Sequence, residues 1–143
     1  MAECILRGIL QKRNCQNIEV VSRGLVVLFS EPVAPGAAKI LREKGYSIEN
    51  FRSAQLTERR SCISRSGADY YKKGLAEQIK ESFDVQTASY MSIGTFIDID
   101  STEAEEKIPK VTEEDPETYQ QCFDILEPLM EAVADRIIGE LLV

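Results

Sequence analysis

The sequence predicts an α/β fold, a small parallel sheet flanked by helices in three layers, and three observations carry that prediction. Apolar residues recur at helical spacing in three stretches, 2–13, 36–44 and 116–142. A β-branched run, Ile18-Glu19-Val20-Val21, stands between the first two. Alternating strands and helices favour a parallel sheet, because each crossover lays a helix over one of its faces. At 143 residues the chain reads as one domain, 1–143, large enough for a real core.

The first helix places Ala2, Ile5, Leu6, Ile9 and Leu10 on one face, with Arg7, Lys12 and Arg13 mostly elsewhere. Asn14–Asn17 reads as a turn and Ile18–Val21 as a short strand closed by Ser22-Arg23-Gly24. Leu25–Phe29 is a continuous apolar run, expected to face the core. Pro32 and Pro35 lead into the second helix, with Ala37, Ile40 and Leu41 inward and Gly45 set for a left-handed C-cap. Tyr46, Ile48 and Phe51 pack back on it.

Residues 58–70 break the pattern. Ile63 is the one strong apolar residue between Arg59 and Asp69, too few for a strand buried on both faces. Arg65–Asp69 can be written in codons that, read one nucleotide later, spell Asp-Leu-Val-Leu, a hint of a shifted frame. Further on, Tyr71, Leu75, Ile79 and Phe83 share a helical face and Asp84–Thr87 reads as a strand. Ser92–Asp100 reads either as an edge strand or as a loop. The last helix shows Tyr119, Phe123, Leu126, Met130, Val133, Ile137 and Leu141 at four- and three-residue steps. Asp115 is placed as its N-cap, Pro116 as its first residue and Pro128 as a kink.

The net charge of −7 is unevenly spread: residues 1–97 carry a net of +4, and residues 98–143 a net of −11. An acidic C-terminal half disfavours a nucleic-acid surface. No apolar run approaches the roughly 20 residues of a membrane span, and no secretory signal is present. Cys4, Cys15, Cys62 and Cys122 have neither paired nor zinc-ligand spacing, and there is no histidine. The expectation is reduced thiols in a cytoplasmic protein with no metal or other cofactor.

Several segments resemble low-molecular-weight protein tyrosine phosphatases. Met1-Ala2-Glu3 with Ile5-Leu6 is similar to the start of that family's first helix, Ser22-Arg23-Gly24 to its Ser-x-Gly strand end, and Phe51–Thr57 to its His-Arg-x-x-Gln-Leu-Thr segment. The run Ser22–Phe29 with Glu31-Pro32 is similar to members from anaerobic bacteria, and Tyr119–Cys122 to the Tyr-x-x-Cys of the last helix.

The resemblance implies a four-stranded sheet in the order 2-1-3-4, with Ile18–Val21 and Val85–Thr87 as its outer strands. The first strand is expected to be absent from this chain, and the third, within 58–70, is doubtful. It also implies hydrolysis of phosphotyrosine on a phosphorylated protein, or of a small phosphomonoester, through a cysteinyl-phosphate intermediate. That chemistry needs a low-pKa thiolate, a loop of N–H groups with an arginine, and an acid for the leaving group.

In the family the loop Cys-x-x-Asn-x-Cys-Arg-Ser-Pro immediately precedes the Met-Ala-Glu helix. No cysteine in the 143 residues is followed by arginine at the sixth place, so the chain reads as truncated ahead of Met1 and inactive by itself. The resemblance assigns Ser22 to support of that loop, where the bare sequence reads a local turn. Counting back nine residues from Tyr119 puts Lys110 in the acid's place, whereas a gapped alignment recruits Asp115. The alternative function is a non-catalytic relative, kept as a binding or regulatory protein or as a decaying gene copy.

Overall fold

The computed structural model describes residues 1–24, 26–57, 67–70, 90–92, 97 and 115–141, with side chains left out at 67–70, 90–92 and 141. In chain order the elements are α1 (Ala2–Lys12), α2 (Pro35–Glu43), β1 (Gly67–Tyr70), β2 (Tyr90–Ser92) and α3 (Pro116–Leu141). Both α1 and α2 pack against α3.

The core is the meeting of three apolar helix faces. Cys4, Ile5, Ile9 and Leu10 of α1 and Ile40 and Leu41 of α2 are buried with Phe123, Leu126, Met130, Val133 and Ala134 of α3. Each large side chain removed from water contributes about 1.5–3 kcal/mol, so this contact is the main apolar stabilisation among the described residues. Across the surface, Arg13 at the end of α1 pairs with both Glu131 and Asp135 of α3.

Two C-terminal turns of the same kind shape the helix ends. After α1, Cys15 N–H bonds Leu10 O at 2.9 Å and Asn14 N–H bonds Gln11 O at 3.1 Å, with Asn14 at φ 60°. After α2, Tyr46 N–H bonds Leu41 O at 2.8 Å and Gly45 N–H bonds Arg42 O at 3.1 Å, with Gly45 at φ 82°. This is the Schellman arrangement, which supplies donors to the last carbonyls and reverses the chain. The second reversal throws Tyr46 onto the core. Its ring lies over Gly8 and tilts against Phe123 at 6.0 Å between centroids, and its hydroxyl donates to Glu127 Oε2 at 2.7 Å.

The strands differ from expectation. Ile18–Val21 forms no strand pairing, although Ile18 and Val20 pack on the core while Glu19 and Val21 stay exposed. Its alternation is that of a strand, but a strand also needs a neighbouring backbone. Within 58–70, where the residues argue against a strand buried on both faces, Gly67–Tyr70 forms a short strand. It pairs in parallel with Tyr90–Ser92, with Gly67 opposite Tyr90, Ala68 opposite Met91 and a register shift before Tyr70. Backbone pairing decides this strand where side-chain propensity does not. The strand expected at Asp84–Thr87 and the helix expected after Tyr71 lie outside the described residues. So does most of Ser92–Asp100, of which Ser92 ends β2 and Ile97 lies in a turn.

Of the run Leu25–Phe29, expected to face the core, Val26, Leu28 and Phe29 face solvent. Val26, Leu28 and Phe29 are 78%, 83% and 75% exposed. The loop is strapped at both ends to the segment after Phe51. Gly24 N–H bonds Ala54 O and Leu56 N–H bonds Gly24 O, while Ser53 N–H bonds Glu31 O and Ser53 Oγ accepts from Glu31 N–H. These hydrogen bonds hold the ends of the loop, and Val26, Leu28 and Phe29 are carried outward. The helix α3 runs through Pro128, as the periodicity predicts.

Two measurements probe the Tyr46 contact. A Cβ on Gly8 would stand 2.6 Å from Tyr46 Cδ1, so Gly8→Ala should cost about 1–3 kcal/mol in urea unfolding despite alanine's better helix propensity. Burial, then the hydrogen bond to Glu127, pushes the Tyr46 hydroxyl well above the ordinary tyrosine range. A pKa raised on folding gives stability that is complete below the unfolded value of about 10 and is lost as pH rises beyond it. The advantage of the native chain over Tyr46→Phe should therefore hold from neutral pH to about 10 and shrink above it. An advantage unchanged at pH 11 would rule out the protonated hydroxyl as the stabilising form.

Candidate functional site

An acid that sits on a buried helix face needs partners, and Glu3 has three. It is buried in the first turn of α1, where a carboxylate also gains from the helix dipole. Its Oε1 accepts from Arg7 one turn on, and its Oε2 accepts from Ser22 N–H at 2.8 Å and from Ser22 Oγ–H at 2.6 Å. Arg7 reaches further, towards Val20 O at 3.4 Å and Glu49 O at 3.5 Å. Ser22 is thus fixed against the start of α1 by two bonds to one carboxylate oxygen. The hydroxyl spends its proton on Glu3 and keeps its lone pairs.

The Met1 amino group adjoins this corner. Burial lowers its proton affinity below that of an ordinary terminal amine, against the opposing pull of Cys4, Glu3 and Cys122. Burial raises the thiols of Cys4 and Cys122, which disfavours the thiolate a nucleophile requires. Cys15, at the edge of a groove beside α1, is half-buried.

Of the residues the sequence singles out, Ser22 lies in this cluster and Asp115 does not interact with it. Asp115 is exposed and caps α3: Oδ1 accepts from Glu117 N–H at 3.0 Å and Oδ2 from Thr118 Oγ1–H at 2.8 Å. Both carboxylate oxygens serve the helix end, the role its place before Pro116 predicts. Lys110 and Cys62 lie outside the described residues. Glu3 and Arg7 were missed as site residues. Their spacing of four on one helix, with the acid in the first turn, was the available signal.

The low molecular weight phosphotyrosine protein phosphatase family matches residues 1–141, and the chain belongs to that family. No curated protein matches it. Among solved structures it is similar to the YwlE arginine phosphatase from Geobacillus stearothermophilus, with a TM-score of 0.76 at 21% identity over 99% of this chain and 85% of that one. YfkJ from Bacillus subtilis gives 0.70 at 16% identity over 99% and 84%. Vibrio vulnificus Wzb in complex with benzylphosphonate gives 0.71 at 20% identity over 94% and 87%. These likenesses show the α/β fold.

Two substitutions separate the roles of the acids. Glu3→Ala should cost about 2–3 kcal/mol, because it strips a charged acceptor from Ser22 and Arg7 together. At the other end, Asp115→Ala should cost about 1 kcal/mol while Asp115→Asn, itself a good cap, should cost almost nothing. Urea titrations of the three variants check both. An equal loss in the alanine and asparagine variants would mean that the carboxylate charge, not the cap, matters at Asp115.

Proposed function

We propose that this member of the low molecular weight phosphotyrosine protein phosphatase family carries the scaffold of a cytoplasmic phosphomonoesterase, acting on phosphorylated proteins or small phosphomonoesters. The observation that carries this reading is the lock of Ser22 on Glu3 at the first turn of α1. With its proton given to Glu3, the Ser22 hydroxyl can accept N–H bonds from a phosphate-binding loop entering α1 from its N-terminal side. Such a loop would bring the cysteine and arginine of the family motif to the positive end of the helix dipole. The thiolate would then attack phosphorus as the bond to the leaving oxygen breaks, and water would hydrolyse the cysteinyl phosphate. Two structural relatives are consistent with phosphoryl chemistry, one being an arginine phosphatase and another holding benzylphosphonate.

A second reading, a binding or regulatory relative without catalysis, is favoured by the state of the described side chains. Burial holds the Cys4 and Cys122 thiols protonated, and Asp115 gives both oxygens to its helix.

The 143-residue chain by itself should not hydrolyse para-nitrophenyl phosphate above background. Placing Cys-x-x-Asn-x-Cys-Arg-Ser-Pro ahead of Met1 should first create a phosphate site at the N-terminus of α1, read by amide shifts at Met1–Glu3 on phosphate addition. Ser22→Ala in that longer chain should weaken binding about tenfold, the loss of one hydrogen bond to a loop that holds a dianion. Lys110→Asp should raise turnover on poor leaving groups, and Asp115→Asn should leave it unchanged. Turnover by the unextended chain that any cysteine substitution abolishes would overturn the scaffold reading. An extended chain that shows no phosphate shifts at Met1–Glu3 and no turnover would favour the regulatory one.

A further inference from the structure

We propose that the groove beside α1 is a second anion site, in which Arg23 and Arg52 hold an oxyanion of the phosphate class. The groove has a volume of about 1010 Å³ and is walled by one side of α1 and by segments 15–23 and 50–54. It extends from Glu3 to Gln11, which at 1.5 Å per residue is about 12 Å along the helix axis. It is therefore a channel running back from the Ser22 corner.

Three arginines line it, and they differ in what they hold. Arg7 is paired with Glu3. Arg23 and Arg52 have no carboxylate partner among the described residues. Arg23 Nη1 donates to Ser22 O at 2.7 Å, and Arg52 Nη2 donates to Ser30 O at 3.2 Å. Arg23 Nε is buried and has no hydrogen-bond partner among the described residues. An unpaired buried N–H is a costly group, and the guanidinium fork is shaped to meet two oxygens of one anion. The opposing charge is Glu19, exposed at the edge, since Glu3 is already committed to Arg7 and Ser22. Two guanidinium groups that line one groove without a carboxylate partner among the described residues, in a chain of net charge −7, suit an anionic group, either free phosphate or a phosphoryl group carried on a larger molecule.

Titration of the chain with inorganic phosphate at low ionic strength, followed by calorimetry and by amide chemical shifts, tests the proposal. Saturable binding is expected, with shifts at Gln16, Asn17 and Asn50. Arg23→Gln and Arg52→Gln should each weaken it about tenfold, and Glu19→Gln should tighten it. Arg136→Gln, whose partner is Glu140 on the same helix, should change nothing. Phenyl phosphate binding more tightly than phosphate identifies a carried phosphoryl group, and equal binding identifies the free ion. A measurement on the unsubstituted chain guards against variants that misfold: phosphate should protect Arg23 and Arg52, but not Arg136, from a dicarbonyl reagent. No saturable binding, binding that survives both arginine substitutions, shifts confined to Met1–Glu3, or uniform modification of the three arginines would each overturn the site. All of these outcomes are independent of whether the family's catalytic loop can be restored.

Discussion

A single buried carboxylate sets the arrangement at the start of the chain. Glu3 lies on the face of α1 that enters the core, where an unpaired charge would not be tolerated, so the structure has to bring donors to it. Ser22 and Arg7 are those donors, and Arg7 in turn reaches the carbonyls of Val20 and Glu49. Three separate parts of the chain, the first turns of α1, residues 20–22 and residue 49, are tied by the requirement to satisfy one acid. The segment 18–22 has no strand partner among the described residues, and this knot serves as its anchor.

The helices were legible because their signal is local. A 3.6-residue period of apolar side chains names the buried face whatever that face meets, and the faces of α1, α2 and α3 converge as read. The ends were legible for the same reason. Asp115 before Pro116 announces a start, and Gly45 after Glu43 announces a stop, each through the chemistry of one or two residues.

What was not legible depends on partners distant in sequence. Ile18–Val21 has the composition and alternation of a strand and lacks only a backbone beside it. Gly67–Tyr70 has little of that composition and does have a backbone beside it. The loop after Gly24 was misread because apolar content was taken for burial, whereas hydrogen bonds to residues 53–56 fix its path. At the site, the family resemblance pointed to Ser22, but the acid that orients it was hidden among the apolar residues of a helix face. The capping role of Asp115 was readable from its neighbour Pro116 alone.

The strapped loop has a consequence for how the protein behaves in concentrated solution. Its ends are hydrogen-bonded to residues 53–56 while Val26, Leu28 and Phe29 project outward, so the apolar patch is held at the surface. A patch of that kind lets two copies adhere at little entropic cost, since the loops need no further ordering on contact. Opposing it is the long-range repulsion of a chain with net charge −7, which added salt screens within about 10 Å. The colloidal state of the protein is thus a contest between a short-range attraction built into one loop and a diffuse charge that salt weakens.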